Sequence, residues 1–137
     1  MFRMSFEDSN TSYDVKMESV LPYGVEGHCC AFHNGYIYII GGYDGISVID
    51  TIVRYSVSDR SSEILPTQLS IARENHVCEI IFNRYLVVMA GWDGRQALDS
   101  VEVFEIVEEA PFLIPLGIEF SLCQKRNRPA SVAVIVP

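Results

Sequence analysis

Three histidines, four cysteines and a pair of aspartates are the side chains here whose types and spacing could bind a metal or move a proton. Cys30-x-x-His33 and His76-x-Cys78 have the short spacing of metal-ligand pairs. A structural zinc site needs four ligands, however, and no second Cys-x-x-Cys completes either pair. Cys29 and Cys30 are adjacent, so on a strand they point to opposite faces and do not share one metal. Together with Cys78 and Cys123 they read as free, buried thiols in a reducing compartment. Asp50 and Asp99 suggest paired carboxylates. No Ser/His/Asp order, phosphate-cradling glycine loop or HExxH pattern accompanies them.

The elements that would position these residues explain them another way. Gly41-Gly42-Tyr43-Asp44-Gly45 is written again as Ala90-Gly91-Trp92-Asp93-Gly94, 49 residues later. Tyr36 to Val57 aligns without gaps on Tyr85 to Ile106, and Asp50 falls on Asp99. Upstream, His28 matches His76 and Cys30 matches Cys78 at an offset of 48, so one residue is inserted near Arg84. Repeat-equivalent aspartates and histidines lie on different units in identical roles, which removes both the paired-carboxylate reading and the metal reading. His33 has no repeat partner and falls beside an Asn34-Gly35 hairpin turn.

A period near fifty residues means an array of small equivalent sheets. Gly27–Asn34 and Asn75–Phe82 are mixed apolar segments. Tyr36–Ile40 and Tyr85–Met89 are unbroken apolar runs, and Thr51–Val57 and Ser100–Ile106 follow Asp-Gly turns. No window carries a 3.6-residue stripe, so the chain is all-β. A strand that is apolar on every residue is buried on both faces, and in an antiparallel sheet that requires a sheet stacked on each side. Blades arranged around an axis supply that packing.

Composition bounds the function. The chain has 137 residues, 49% hydrophobic and 20% charged, values of a folded globular domain. Its apolar runs are too short to span a bilayer. The first eight residues carry no signal-peptide pattern, and Asn10-Thr11-Ser12 is a sequon without a secretory context. A net charge of −8 argues against nucleic acid. The one basic cluster, Lys125-Arg126-Asn127-Arg128, reads as a solvated loop.

These residues resemble the kelch repeat, the blade-forming motif of kelch-type β-propellers. The resemblance rests on the double-glycine strand end, Gly41-Gly42 with Ala90-Gly91 as a degraded copy. It rests also on the Asp-Gly turns at Gly45 and Gly94, the spaced aromatics Tyr55 and Phe104, and the Arg73…His76 opening of a new blade. The tryptophan of the family pattern is absent: Ser62 or Glu63 stands in its place in one unit and Pro111 or Phe112 in the next. That absence, with the long stretch from Pro111 to Arg128, implies weaker contacts between blades.

The expected organisation is an N-terminal segment with the worn end of a preceding blade (1–24), a kelch repeat (25–73), a second repeat with a degraded second half (74–126) and the first strand of a further repeat (127–137). The expected fold is a partial kelch propeller of about two to three antiparallel blades, not closed. Its terminal blades expose apolar faces that invite self-association. The chain reads accordingly as a fragment, a truncated product or a part that closes by oligomerising.

The resemblance implies a non-catalytic, cytoplasmic protein-interaction module with no cofactor and no metal. Its partner is a protein or peptide, without nucleic acid or membrane. In such propellers the loops on one face of the disc receive the partner. Here they carry Asp44, Ile46, Ser47, Arg73, Glu74, Asn75, Asp93, Arg95, Gln96 and Arg128. Tyr43 and Trp92 either add stacking area at the rim or fill space between blades. The commonest setting resembles the substrate-recognition part of a cullin-type ubiquitin ligase adaptor, whose BTB part finds no room here. Actin binding is the second reading, and a remnant of a kelch-scaffold enzyme such as a copper oxidase is the third.

Overall fold

The computed structural model describes residues 2–6, 13–17, 21–118 and 120–134. The sequon at Asn10 lies outside them, as does part of the segment read as the worn end of a preceding blade. All regular structure is β: β1 (Phe2–Phe6), β2 (Tyr13–Met17), β3 (Cys29–His33), β4 (Tyr36–Ile40), β5 (Ile52–Ser56), β6 (Ser61–Ile64), β7 (Val77–Ile81), β8 (Tyr85–Met89), β9 (Leu98–Ile106), β10 (Leu113–Pro115) and β11 (Phe120–Arg126). No helix occurs among the described residues, so none is long and apolar enough to cross a membrane.

Strands β3 to β6 pair in order as one antiparallel four-stranded blade, and β7 to β10 form the second. Strand β9 is nine residues long, and its outer edge is shared. Leu113–Pro115 of β10 pairs with its C-terminal half, while Phe120 and Ser121 of β11 pair with Val101 and Ser100. The long, degraded second half of this repeat therefore supplies two short outer strands where the first blade has one. The β1–β2 hairpin, with Phe2 opposite Met17, is a separate two-stranded sheet.

The inserted residue is visible in the turns. Asn34-Gly35 closes β3–β4 as a two-residue turn with both φ angles positive (45° and 83°), the geometry that an Asn-Gly pair favours. Between β7 and β8 the turn takes three residues, Phe82-Asn83-Arg84, with Ile81 opposite Tyr85.

The continuous apolar character of β4 and β8 has its expected cause. Tyr38 and Ile40 turn toward the second blade and join Leu86, Val88, Phe104 and Leu113 in the main core, all at most 2% exposed. Ile39, on the opposite face of β4, packs with Val53, Tyr55, Leu21, Tyr23 and Val25. Val87 of β8 likewise packs with Val101, Val103, Leu116 and Leu122. Each blade thus has apolar side chains on both faces, as stacked sheets require.

Four expectations need correction. The outward faces of the two blades are not bare: residues 21–25 cover one, and Leu116 with Leu122 cover the other. The slot of the missing tryptophan is not empty, because Phe112 packs against the main core and its ring lies 3.3 Å from the Arg54 guanidinium of the first blade. The cysteines are not all free. Cys29 of β3 and Cys78 of β7 form a disulfide between the innermost strands of the two blades, and Cys30 and Cys123 are free but exposed. Finally, residues 127–134 hold no strand, although a further repeat was expected to open there.

Candidate functional site

In each blade the chain leaves the second strand through a loop, residues 41–51 in one and 90–97 in the other, and these loops occupy one face with the crossing segments 65–76 and 124–128. The two loops are built alike. Gly42 accepts from Ile49 N and Gly91 from Leu98 N, both at 2.9 Å. Asp44 Oδ1 accepts the Ile46 and Ser47 amides at 2.8 Å, while Asp93 Oδ1 accepts those of Arg95 and Gln96 at 2.7 and 2.8 Å. Such bonds favour the ionised carboxylate, and they hold both groups below the usual aspartate range, led by Ser47 in one loop and Gln96 in the other. Asp44 and Asp93 are therefore turn formers, a structural role where the sequence suggested partner contact.

The glycines mark where blades cross. A Cβ on Gly42 would stand 2.6 Å from the Glu26 carbonyl oxygen, and one on Gly91 would stand 2.6 Å from that of Glu74. Both residues have φ near 100°, which L side chains rarely adopt. Their amides donate to the next crossing segment, Gly42 N to Arg73 O and Gly91 N to Arg126 O, each at 2.8 Å. A ladder runs beside them: Asn75 N donates to Gly27 O at 2.7 Å, and Arg128 N donates to Asn75 O at 3.0 Å. Gly27, Asn75 and Arg128 share a left-handed backbone, with φ of 61°, 51° and 55°. Three crossing segments thus share one backbone pattern, and the Arg126 carbonyl stands to Gly91 as the Arg73 carbonyl stands to Gly42.

Histidine positions follow from the same crossing. His28 packs on Gly42 and His76 on Gly91, which accounts for their equivalence without a ligand role. The His76 ring is buried, and neither nitrogen meets hydrogen-bond geometry, although the Ile40 backbone weakly favours its charged form. Burial, then the charges of Arg73 and His28, push its pKa down to about 4. No group of three or more metal-type side chains forms among the described residues.

Arg73, named with the loop contacts, is fully buried. Its guanidinium donates to the carbonyls of Ala90 (2.9 Å), Ser100 (3.2 Å) and Ile71 (3.3 Å), to Ser100 Oγ (3.1 Å) and to Glu102 Oε1 (2.6 Å). Glu102 in turn accepts the amides of Ser70 and Ile71. Burial lowers the Arg73 pKa and Glu102 opposes that shift. The residue clamps the crossing segment to the second blade and offers nothing to a partner.

What remains open on this face is what differs between the copies. Ile46 is 88% exposed, and Ser47, Arg95, Gln96 and Arg128 are exposed. Tyr43 and Trp92 are half-buried, each bridged by its backbone to the preceding crossing segment at Glu26 and Glu74. Asn75 is half-buried within the ladder. Sequence reasoning missed Lys125 and Arg126, which the fold brings to the 90–97 loop: Lys125 Nζ donates to Gln96 Oε1 at 2.7 Å, and Gly91 N donates to Arg126 O at 2.8 Å. A cleft of about 670 Å³ opens along β9 where β10 gives way to β11, lined in part by Glu102, Phe104 and Phe120.

Comparison with known proteins places this architecture. Residues 26–68 match the family model described as the kelch motif. No curated protein matches the chain in sequence. Among solved structures 110 chains match; one of them, a structure of YjhT, superposes with a TM-score of 0.57 at 17% identity, covering 66% of this chain and 27% of that one. The present chain thus spans about a quarter of that protein's length. The repeated glycine crossings and the two antiparallel blades give this chain a partial, unclosed propeller fold, and residues 26–68 of its first blade carry a kelch motif.

Proposed function

We propose that the chain is a non-catalytic interaction module that receives a protein or peptide on the face formed by loops 41–51 and 90–97 and crossing segments 65–76 and 124–128. One observation carries this reading. On that face the repeat-equivalent residues are consumed by the scaffold, whereas the non-equivalent ones, Ile46-Ser47 against Arg95-Gln96, point to solvent. Kelch repeats generally mediate protein–protein contact, which supports the same reading. A loop whose backbone is fixed by its own Asp presents such side chains with little ordering cost.

Within this reading, the setting is the substrate-recognition part of a ubiquitin ligase adaptor, with actin binding as the competing setting. Affinity capture with quantitative mass spectrometry tests both, using the wild type, Ile46→Asp and Phe82→Asp. Phe82 is as exposed as Ile46 but lies in a turn at the opposite end of the blades. A partner lost with Ile46→Asp and kept with Phe82→Asp supports the loop face, and its identity as cullin components or actin decides the setting. A partner lost equally with both, or with neither, overturns the proposal. The cytoplasmic location is also a proposal, and the Cys29–Cys78 pair weighs against it; thiol counting on protein from intact cells decides.

A further inference from the structure

The duplication repeats not only the loops but also the surfaces through which the blades stack. Where the two blades meet, the first presents Tyr38, Ile40 and Ile52, and the second presents Leu86, Val88 and Phe104. In the gap-free alignment the first trio falls on Val87, Met89 and Val101, and the second trio on Ile37, Ile39 and Tyr55. Those counterparts form the outward face of the second blade and the outward face of the first. Each outward face is therefore a copy of one half of a contact that the chain already makes. Val103 and Val53 stand on these faces where Arg54 and Glu102 stand at the inner contact, so both outward faces are the more apolar at that level.

Residues 21–25 on one face, and Leu116 with Leu122 on the other, cover the centres of these surfaces but not their margins. Phe32 pairs across the sheet with Ile37, and Ile64 with Val53, yet Phe32 is 64% and Ile64 53% exposed. On the second blade Phe120 lies opposite Val101 and Ile114 opposite Glu105, and they are 50% and 41% exposed. Directly opposed residues share a sheet face, so each outward face keeps two large apolar side chains in water. We infer that a second copy of this chain covers them. The second blade of one copy stacks on the first blade of the next, through the same kind of contact that joins the blades within one chain. Such a contact joins unlike faces, so it repeats from copy to copy until the rotation closes a ring. Propellers close at about four to eight blades, which two-blade units reach with about two to four copies.

Sedimentation velocity of the whole chain over a range of concentrations is the test, with Phe32→Glu and Phe120→Glu as variants of the two faces. The expected wild type is one discrete oligomer of two to four copies. Each variant alone is expected to lose it and run as a monomer. An equimolar mixture of the two is expected to recover a one-to-one pair, because each variant keeps the face that the other has lost. Equal urea midpoints certify the fold, and Ile64→Lys with Ile114→Lys repeat the comparison where a glutamate lowers the midpoint. A wild type that stays monomeric overturns the inference, as does an oligomer that survives both variants or an open series of growing masses. Loss with one variant alone marks a self-complementary contact and overturns it too, and so does a mixture that yields no pair. An oligomer held by a disulfide through Cys30 or Cys123, seen on non-reducing gels, likewise overturns it.

Discussion

His76 makes the stability of this fold depend on pH in a window set by one ring. Its folded pKa of about 4 lies below the ordinary histidine value of 6.5, because burial beside Arg73 disfavours the imidazolium. The unfolded chain therefore binds a proton that the folded chain refuses. Stability is complete above the unfolded value, drains away as the pH falls through the interval, and levels off below about 4. With ~1.4 kcal/mol per unit of pKa difference, the loss relative to neutral pH is about 2 kcal/mol near pH 5 and about 3 kcal/mol near pH 4. Urea unfolding followed by the emission of Trp92, the sole tryptophan, reads this directly. His76→Phe keeps a ring beside Gly41 but cannot titrate, so its stability is expected to fall by about 2 kcal/mol less than the wild type between about pH 7 and pH 5. Parallel losses in the two proteins would mean that His76 does not set this window. A ring titration of His76 by NMR gives the same answer from the wild type alone: a midpoint near 6.5 contradicts it.

Other expectations concern the crossings between blades. Arg73→Met leaves the Glu102 carboxylate without its charge partner and the Ala90 and Ser100 carbonyls without their guanidinium donor, and is expected to cost about 3–5 kcal/mol in urea unfolding. Gly42→Ala forces a Cβ against the Glu26 carbonyl at a φ of 105° and is expected to cost about 3 kcal/mol or more, whereas Gly45→Ala, strained but in open space, costs about 1–2 kcal/mol. The Cys29–Cys78 disulfide closes a loop of 49 residues, so reduction is expected to lower stability by up to about 4 kcal/mol, seen as a lower midpoint in dithiothreitol.

The fold was readable in the sequence because its signals are local. The paired Gly-Asp-Gly blocks fix the loops through their own backbone, and unbroken runs such as Tyr36–Ile40 report burial on both faces without knowledge of the neighbour. The site was less readable. Arg73 resembles a loop cation until the fold surrounds it with the carbonyls of Ala90 and Ser100, residues 17 and 27 positions away. Cys29 pairs with a cysteine of the next blade that is not its repeat counterpart, so neither spacing nor duplication points to it. Phe112 stacks on Arg54 of the first blade, a contact that exists only once the blades meet. Lys125 and Arg126 look like a solvated run until the crossing segment carries them against the 90–97 loop, Lys125 onto Gln96 and the Arg126 carbonyl onto the Gly91 amide.

The proposed partner-binding surface is the loop face and not the turns at the far end of the blades. Site-specific photo-crosslinking compares the two directly, with the crosslinking residue placed at Ile46 in one protein and at Phe82 in another. These positions are 88% and 86% exposed, so accessibility does not separate them. A discrete partner adduct is expected from position 46 and none from position 82. An adduct from position 82 with none from position 46 would contradict it.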